Sequence, residues 1–168
     1  MSRGGVDVDV RIASEDWRDV IARDEDLIAR SINAAAKAAD VPGGSVDMLL
    51  TSADEMRALH VRWRGKDKPT DVLSFPSGEA ALATGSPFLG DIALGWGTCV
   101  RDAKETDTDM QAHLAHLTIH GFLHLVGYDH EESEAADVME ALEAKVLASL
   151  GYADPYERMA SDAATQVR

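Results

Sequence analysis

Three of the chain's six histidines fall in the segment HGFLHLVGYDH, from His120 to His130, and their spacing has the form of a metal site. In a helix of 3.6 residues per turn, His120 and His124 project from one face, one turn apart, and can grip a single ion together. Gly127, directly after this apolar run, suits the left-handed conformation that ends a helix. The chain then turns back within three residues, which can bring His130 to the open side of the pair. Three imidazoles with one position left open is the layout of a catalytic zinc site rather than a structural one. A histidine pair alone at this spacing is most often surface decoration or core. The third histidine beyond a helix-stopping glycine turns the reading toward metal.

All-imidazole ligation suits zinc, admits nickel, copper or iron, and disfavours magnesium and calcium. Three neutral ligands leave the ion its full positive charge. Such an ion lowers the pKa of bound water to about 7 and polarises a carbonyl or phosphoryl oxygen, so hydrolysis is the expected chemistry. A zinc peptidase would carry a glutamate directly after the first histidine as general base. Gly121 stands there instead. His113 and His116 share the same helical stripe but lie farther from the turn that delivers His130. They are expected to cap, to pack or to orient a ligand.

The other stretch able to do chemistry is basic. Arg57, Arg62, Arg64, Lys66 and Lys68 lie close together with Asp67 among them, in a chain whose formal net charge is −14. The overall charge argues against broad, nonspecific binding to nucleic acid, which depends on long-range attraction to phosphate, but the local patch survives it.

The elements that must position these residues follow from patterning. VDVDVRIAS, Val6 to Ser14, alternates with period two and reads as a half-buried strand. Ser14, Glu15 and Asp16 mark a helix start, and the polar cluster at Arg23 to Asp26 divides the following apolar pattern into two helices. VPGG is a turn and SVDMLLTS a second strand. Ser52 or Asp54 caps a helix with Met56, Leu59 and Trp63 on one side. GKDKPT is a loop, because Pro69 lacks the amide hydrogen and holds Lys68 extended. DVLSFP is a third strand, residues Ser77 to Pro87 a mobile loop, and LGDIALGWGTC, Leu89 to Cys99, a fourth strand. A polar connection leads to Thr108, which with Gln111 forms a capping box for the histidine helix. Asp129 with Glu132 starts a final helix with Val138, Met139, Leu142, Val146, Leu147 and Leu150 as its core stripe.

The interleaving of strands and helices without strict alternation indicates an α+β fold: helices packed on a small mixed sheet of roughly four strands, with the metal-binding helix near the C-terminus. At 168 residues and 45% hydrophobic, the chain suits a single metal-dependent hydrolase domain over residues 1–153 with a polar, disordered tail over 154–168. The lone Cys99 excludes an intrachain disulfide and any cysteine-rich zinc finger. Neither a signal peptide nor a membrane span is recognisable, so a cytoplasmic protein with no membrane partner is expected.

HGFLHLVGYDH, together with RGKDKPTDVLSFP from Arg64 to Pro76 and LGDI from Leu89 to Ile92, resembles the YbeY family of bacterial endoribonucleases and ribosomal RNA maturation factors. The resemblance runs from about Val6 to Tyr152. It implies one zinc ion on His120, His124 and His130. It also implies zinc-dependent, single-strand-specific cleavage of RNA in forming the 3′ end of the small-subunit ribosomal RNA and in ribosome quality control. The implied partners are single-stranded or ribosomal RNA and the small subunit or its assembly factors. Arg64 matches the family's characteristic arginine, which implies a catalytic role for it beside His124. An arginine fork can bind a phosphate bidentately, with Lys66 and Lys68 guiding the strand. The chain departs from the family at His60 and Trp63, where asparagine and tyrosine are usual. Two other readings use the same histidines: a different three-histidine metal hydrolase, and a non-catalytic ribosome-assembly factor in which zinc only holds the C-terminal turn.

Overall fold

The computed structural model describes residues 5–65, 70–77, 87–128 and 132–156, with Arg64 described by its backbone alone. These form four strands and six α-helices. β1 is Val6–Ile12, α1 Arg18–Arg23, α2 Leu27–Ala38, β2 Gly44–Thr51, α3 Ala53–Arg64 and β3 Val72–Pro76. β4 is Phe88–Gly95, α4 Trp96–Glu105, α5 Met110–Leu125 and α6 Ser133–Ser149. The sheet order is β1-β2-β4-β3; β1, β2 and β4 run parallel, and β3 closes one edge antiparallel to β4. The fold is α+β, as its sequence pattern requires.

Period two sorts the sheet into its two faces. Val46, Met48 and Leu50 of β2 and Ile92 and Leu94 of β4 join the larger core, which α2 and α5 cover and which includes Trp17, Ile32 and Phe122. The alternate residues Leu49, Ala93, Leu73 and Phe75 pack with Met56 and Leu59 of α3 in a smaller cluster on the opposite face. α6 adds Met139, Val146 and Leu147 to the outer side of the larger core. Removing each of these large side chains from water contributes about 1.5–3 kcal/mol. Two side chains fix the ends of the parallel pair: Asn33 on α2 clamps the backbone of Val6 (2.8 and 3.1 Å), and Trp17 donates from Nε1 to the Thr51 carbonyl at 2.9 Å.

Four local expectations change. The fourth strand stops at Gly95, and Gly97 and Cys99 belong to α4. The apolar residues Trp96, Cys99 and Ala103 continue the strand's hydrophobicity at helical spacing, which hides the boundary. Gly95 is needed there for close approach, since a Cβ on it would lie 2.5 Å from Met56 Cγ. The cap of α5 is Asp109, whose carboxylate accepts from the Gln111 amide at 3.1 Å, while the Thr108 hydroxyl turns to Thr106 at 2.8 Å. Val138 is 59% exposed and lies outside the α6 core stripe, and Trp63 is 61% exposed rather than packed with Met56. The expected break at Arg23 to Asp26 and the Ser52 cap, accepting from the Glu55 amide at 3.2 Å, are both present.

Candidate metal centre

α5 ends as its glycine requires. Gly127 takes φ +105° and donates to the His124 carbonyl at 3.2 Å, while Tyr128 donates to the Leu123 carbonyl at 2.9 Å. These paired bonds are a Schellman stop, which satisfies the last carbonyls and leaves the imidazole of His124 at the helix end.

His120 and His124 come together as spacing demands: their Nε2 atoms are 3.2 Å apart. Two nitrogens bound tetrahedrally to zinc at about 2.0–2.1 Å would stand roughly 3.3–3.4 Å apart, so the pair has the separation of two ligands on one ion. The tautomer agrees. His120 Nδ1 lies 2.8 Å from Glu143 Oε2, and a carboxylate there requires the ring proton on Nδ1, which leaves the Nε2 lone pair for a metal. His130, Lys66 and Lys68 lie outside the described residues. Arg64 is the last residue of α3, followed by Gly65 in the left-handed conformation at φ +69°. Its helix lies against the face of β3 that bears Leu73 and Phe75, while α5 lies against the other, so the edge strand separates the arginine's helix from the histidines.

Sequence reasoning missed the residue that organises the histidines. Glu143, on α6, is 0% exposed and accepts from His116 Nε2 at 2.7 Å and from His120 Nδ1 at 2.8 Å. Tyr156 also donates its hydroxyl to Glu143 and lies 3.1 Å from His116 Nε2. Burial alone would raise the glutamate's pKa, but the hydrogen bonds from His116, His120 and Tyr156 overcome it and hold the pKa at about 2. Burial and the neighbouring carboxylate push the Tyr156 phenol well up, so it remains a donor. Glu143 is therefore a poor proton acceptor, and its place is to orient His120 and His116. The signal for it was available: a glutamate four residues after Met139 and three before Val146 interrupts an apolar stripe. Through Tyr156 the chain packs on the fold as far as residue 156.

Gly121 has a structural reason as well. A Cβ there would lie 2.9 Å from Ile92 Cγ2 and 3.2 Å from Val72 Cγ2, and its carbonyl accepts from Ser74 Oγ at 2.9 Å. A glutamate at this position would be driven into β3 and β4, so α5 cannot carry the peptidase base.

Farther along the same stripe, Asp71, Asp102 and His113 form a group that could hold a metal ion, each offering one ligand atom within 4.8 Å of the others. Burial, then the adjacent Asp102, raises the Asp71 pKa to about 6. Burial lowers that of His113.

Among the described residues no helix is long and apolar enough to cross a membrane. Residues 10–151 match the family described as Endoribonuclease YbeY. The Endoribonuclease YbeY of Chelativorans sp. is 47% identical over 153 residues, covering 89% of this chain and 92% of the relative. That of a Bradyrhizobium sp. is 45% identical over 154 residues, covering 88% and 90%. The solution structure of TM1509 from Thermotoga maritima superposes with a TM-score of 0.58 at 25% identity, over 92% of this chain and 93% of that one. Matched over most of its length by a family and by relatives of this identity, the chain belongs to the Endoribonuclease YbeY family.

Proposed function

We propose that this protein is a zinc-dependent, single-strand-specific endoribonuclease that matures the 3′ end of the small-subunit ribosomal RNA and serves ribosome quality control in the cytoplasm. In this reading residues 1–153 act as one hydrolase domain working with the small subunit or its assembly factors. The observation that carries it is the pair of Nε2 atoms 3.2 Å apart with a buried carboxylate behind one of them, in a chain of the Endoribonuclease YbeY family.

His120, His124 and His130 hold the ion. Zinc, when bound, supplies a Lewis acid and makes water acidic enough to serve as a nucleophile near neutral pH. Glu143 keeps the His120 ring in the ligating tautomer, and a buried acceptor of this kind typically tunes metal affinity by about 10–100-fold. Arg64 binds the scissile phosphate and balances its developing charge, and Lys66 and Lys68 draw the strand in. Beside Arg64, Trp63 is exposed, with the Arg62 guanidinium 5.7 Å from its ring centre and Phe75 edge-on at 6.1 Å. A supported, exposed indole next to cations offers a stacking platform to an unpaired base, which favours single-stranded substrate.

The test is cleavage of single-stranded RNA against a peptide substrate, with bound metal measured on the same samples. His124→Ala should lose both zinc and RNA cleavage. Arg64→Ala should keep zinc and lose about 10²–10³-fold in cleavage rate. RNA cleavage indifferent to chelator and to His124→Ala would overturn the proposal.

A further inference from the structure

Asp71, Asp102 and His113 come from three separate segments: the approach to β3, the body of α4 and the start of α5. One ligand atom from each lies within 4.8 Å of the others. One carboxyl oxygen of Asp71 and one of Asp102 lie within that distance of each other, and two carboxylates so close favour a proton or a cation beside them. Arg101 reaches Asp102 Oδ1 only at 3.9 Å, from an exposed position. His113 is buried, and its Nε2 has no hydrogen-bond partner among the described residues. An unpartnered buried nitrogen, on a histidine that stands beside two carboxyls, costs stability unless a ligand satisfies it.

We propose that Asp71, Asp102 and His113 bind a second divalent cation, separate from the histidine centre. Two carboxylate oxygens and one imidazole nitrogen suit a first-row ion of intermediate hardness, with manganese as the type, better than calcium or magnesium, which take oxygen ligands alone. Both aspartates are half-buried, so solvent can complete the coordination. The cation does not act as a catalytic partner of the histidine centre. His113 and His120 are seven residues apart on one helix, about 10.5 Å along its axis, whereas paired catalytic metals stand about 3.5–4 Å apart. Its role is to tie the start of the edge strand β3 to α4 and α5, at the end of the segment that carries the basic residues.

The test uses the chelator-stripped, full-length His124→Ala protein, in which the histidine centre is disabled, with Mn2+ as probe. Electron paramagnetic resonance should show one Mn2+ bound per chain, with nitrogen coupling from His113 that His113→Gln abolishes. Saturating Mn2+ should raise Tm by about 5–10 °C. Adding Asp102→Asn, close in shape, should remove both the binding and the Tm shift. If His124→Ala does not fold by circular dichroism, zinc-loaded wild type and Asp102→Asn are compared for one further equivalent of Mn2+. Equal binding with and without Asp102→Asn, or no binding by a folded protein at millimolar Mn2+, would overturn the proposal.

Discussion

Helix α5 carries two partly buried corners along one histidine stripe, and they treat a carboxyl group in opposite ways. At the C-terminal corner a single carboxylate, Glu143, faces His116, His120 and Tyr156 and titrates at about 2. At the N-terminal corner two carboxyls, Asp71 and Asp102, face each other beside His113, and Asp71 titrates at about 6. Burial raises the pKa in both places, so burial does not set the outcome. The partners do: several donors on one acceptor stabilise the ion, while a second acid facing the first favours the proton. The first corner is complete in itself and can hold a metal-binding imidazole rigidly. The second is incomplete, which is why it is the corner that calls for a cation.

Removing the acceptor from the complete corner should have the largest effect. Glu143→Ala leaves two half-buried imidazoles and a phenol without their acceptor and opens a cavity, for a loss of roughly 3 kcal/mol. In a chain of this size that lowers Tm by roughly 6–12 °C in a thermal melt. Glu143→Gln keeps one acceptor oxygen and should lose about half as much. A glutamine variant as stable as wild type at pH 7 would show that the charge at this corner does not matter.

The two corners should also separate by pH in the metal-stripped protein. Glu143 has its folded pKa below its ordinary value of 4.5. Its contribution is therefore full above that pH and is lost as pH falls toward 2. Asp71 is raised from 3.8 to about 6, so its protonated form is the one favoured by folding. That contribution is full below 3.8 and lost as pH rises through 6. Asp102→Asn removes the opposing charge and supplies an amide donor, so it should flatten the decline between pH 4 and 6. Its expected gain over wild type at pH 7 is about 1–2 kcal/mol, discounted because both aspartates are half-exposed. Urea denaturation across pH 4–8 measures it, and an unchanged slope would mean that the two carboxyls do not interact.

The comparison also marks what the sequence could and could not disclose. Spacing and a helix-stopping glycine were enough to bring His120 and His124 together, because one helix fixes their geometry locally. The strand pattern and the break near Arg23 were legible for the same reason. Glu143 reaches His120 across a helix–helix contact, and no local periodicity reports that a particular position of α6 faces a particular one of α5. Its trace was an acid inside an apolar stripe, whereas Val138, apolar and exposed, was the false member of that stripe. Asp71, Asp102 and His113 are farther still from local reading, since they meet only when β3, α4 and α5 close on one another. The boundary at Gly95 failed differently: an apolar strand running straight into an amphipathic helix changes period without changing composition.

The finest test of the complete corner is Tyr156→Phe. The phenylalanine ring can keep the edge-on contact with His116, where the centroids are 5.5 Å apart, while the hydroxyl that donates to Glu143 is lost. One donor of three is removed and no cavity forms, so the loss should be about 1 kcal/mol, or about 2–4 °C in Tm. The acid limb assigned to Glu143 should move to higher pH, because the carboxylate is less well solvated by the protein, yet remain below 4.5 since both histidines still donate. If Tyr156→Phe instead destabilised the protein as much as Glu143→Ala, the phenol rather than the imidazoles would be holding the carboxylate. The likeness of Glu143 to the carboxylate partner of a metal-binding histidine would then lose its support.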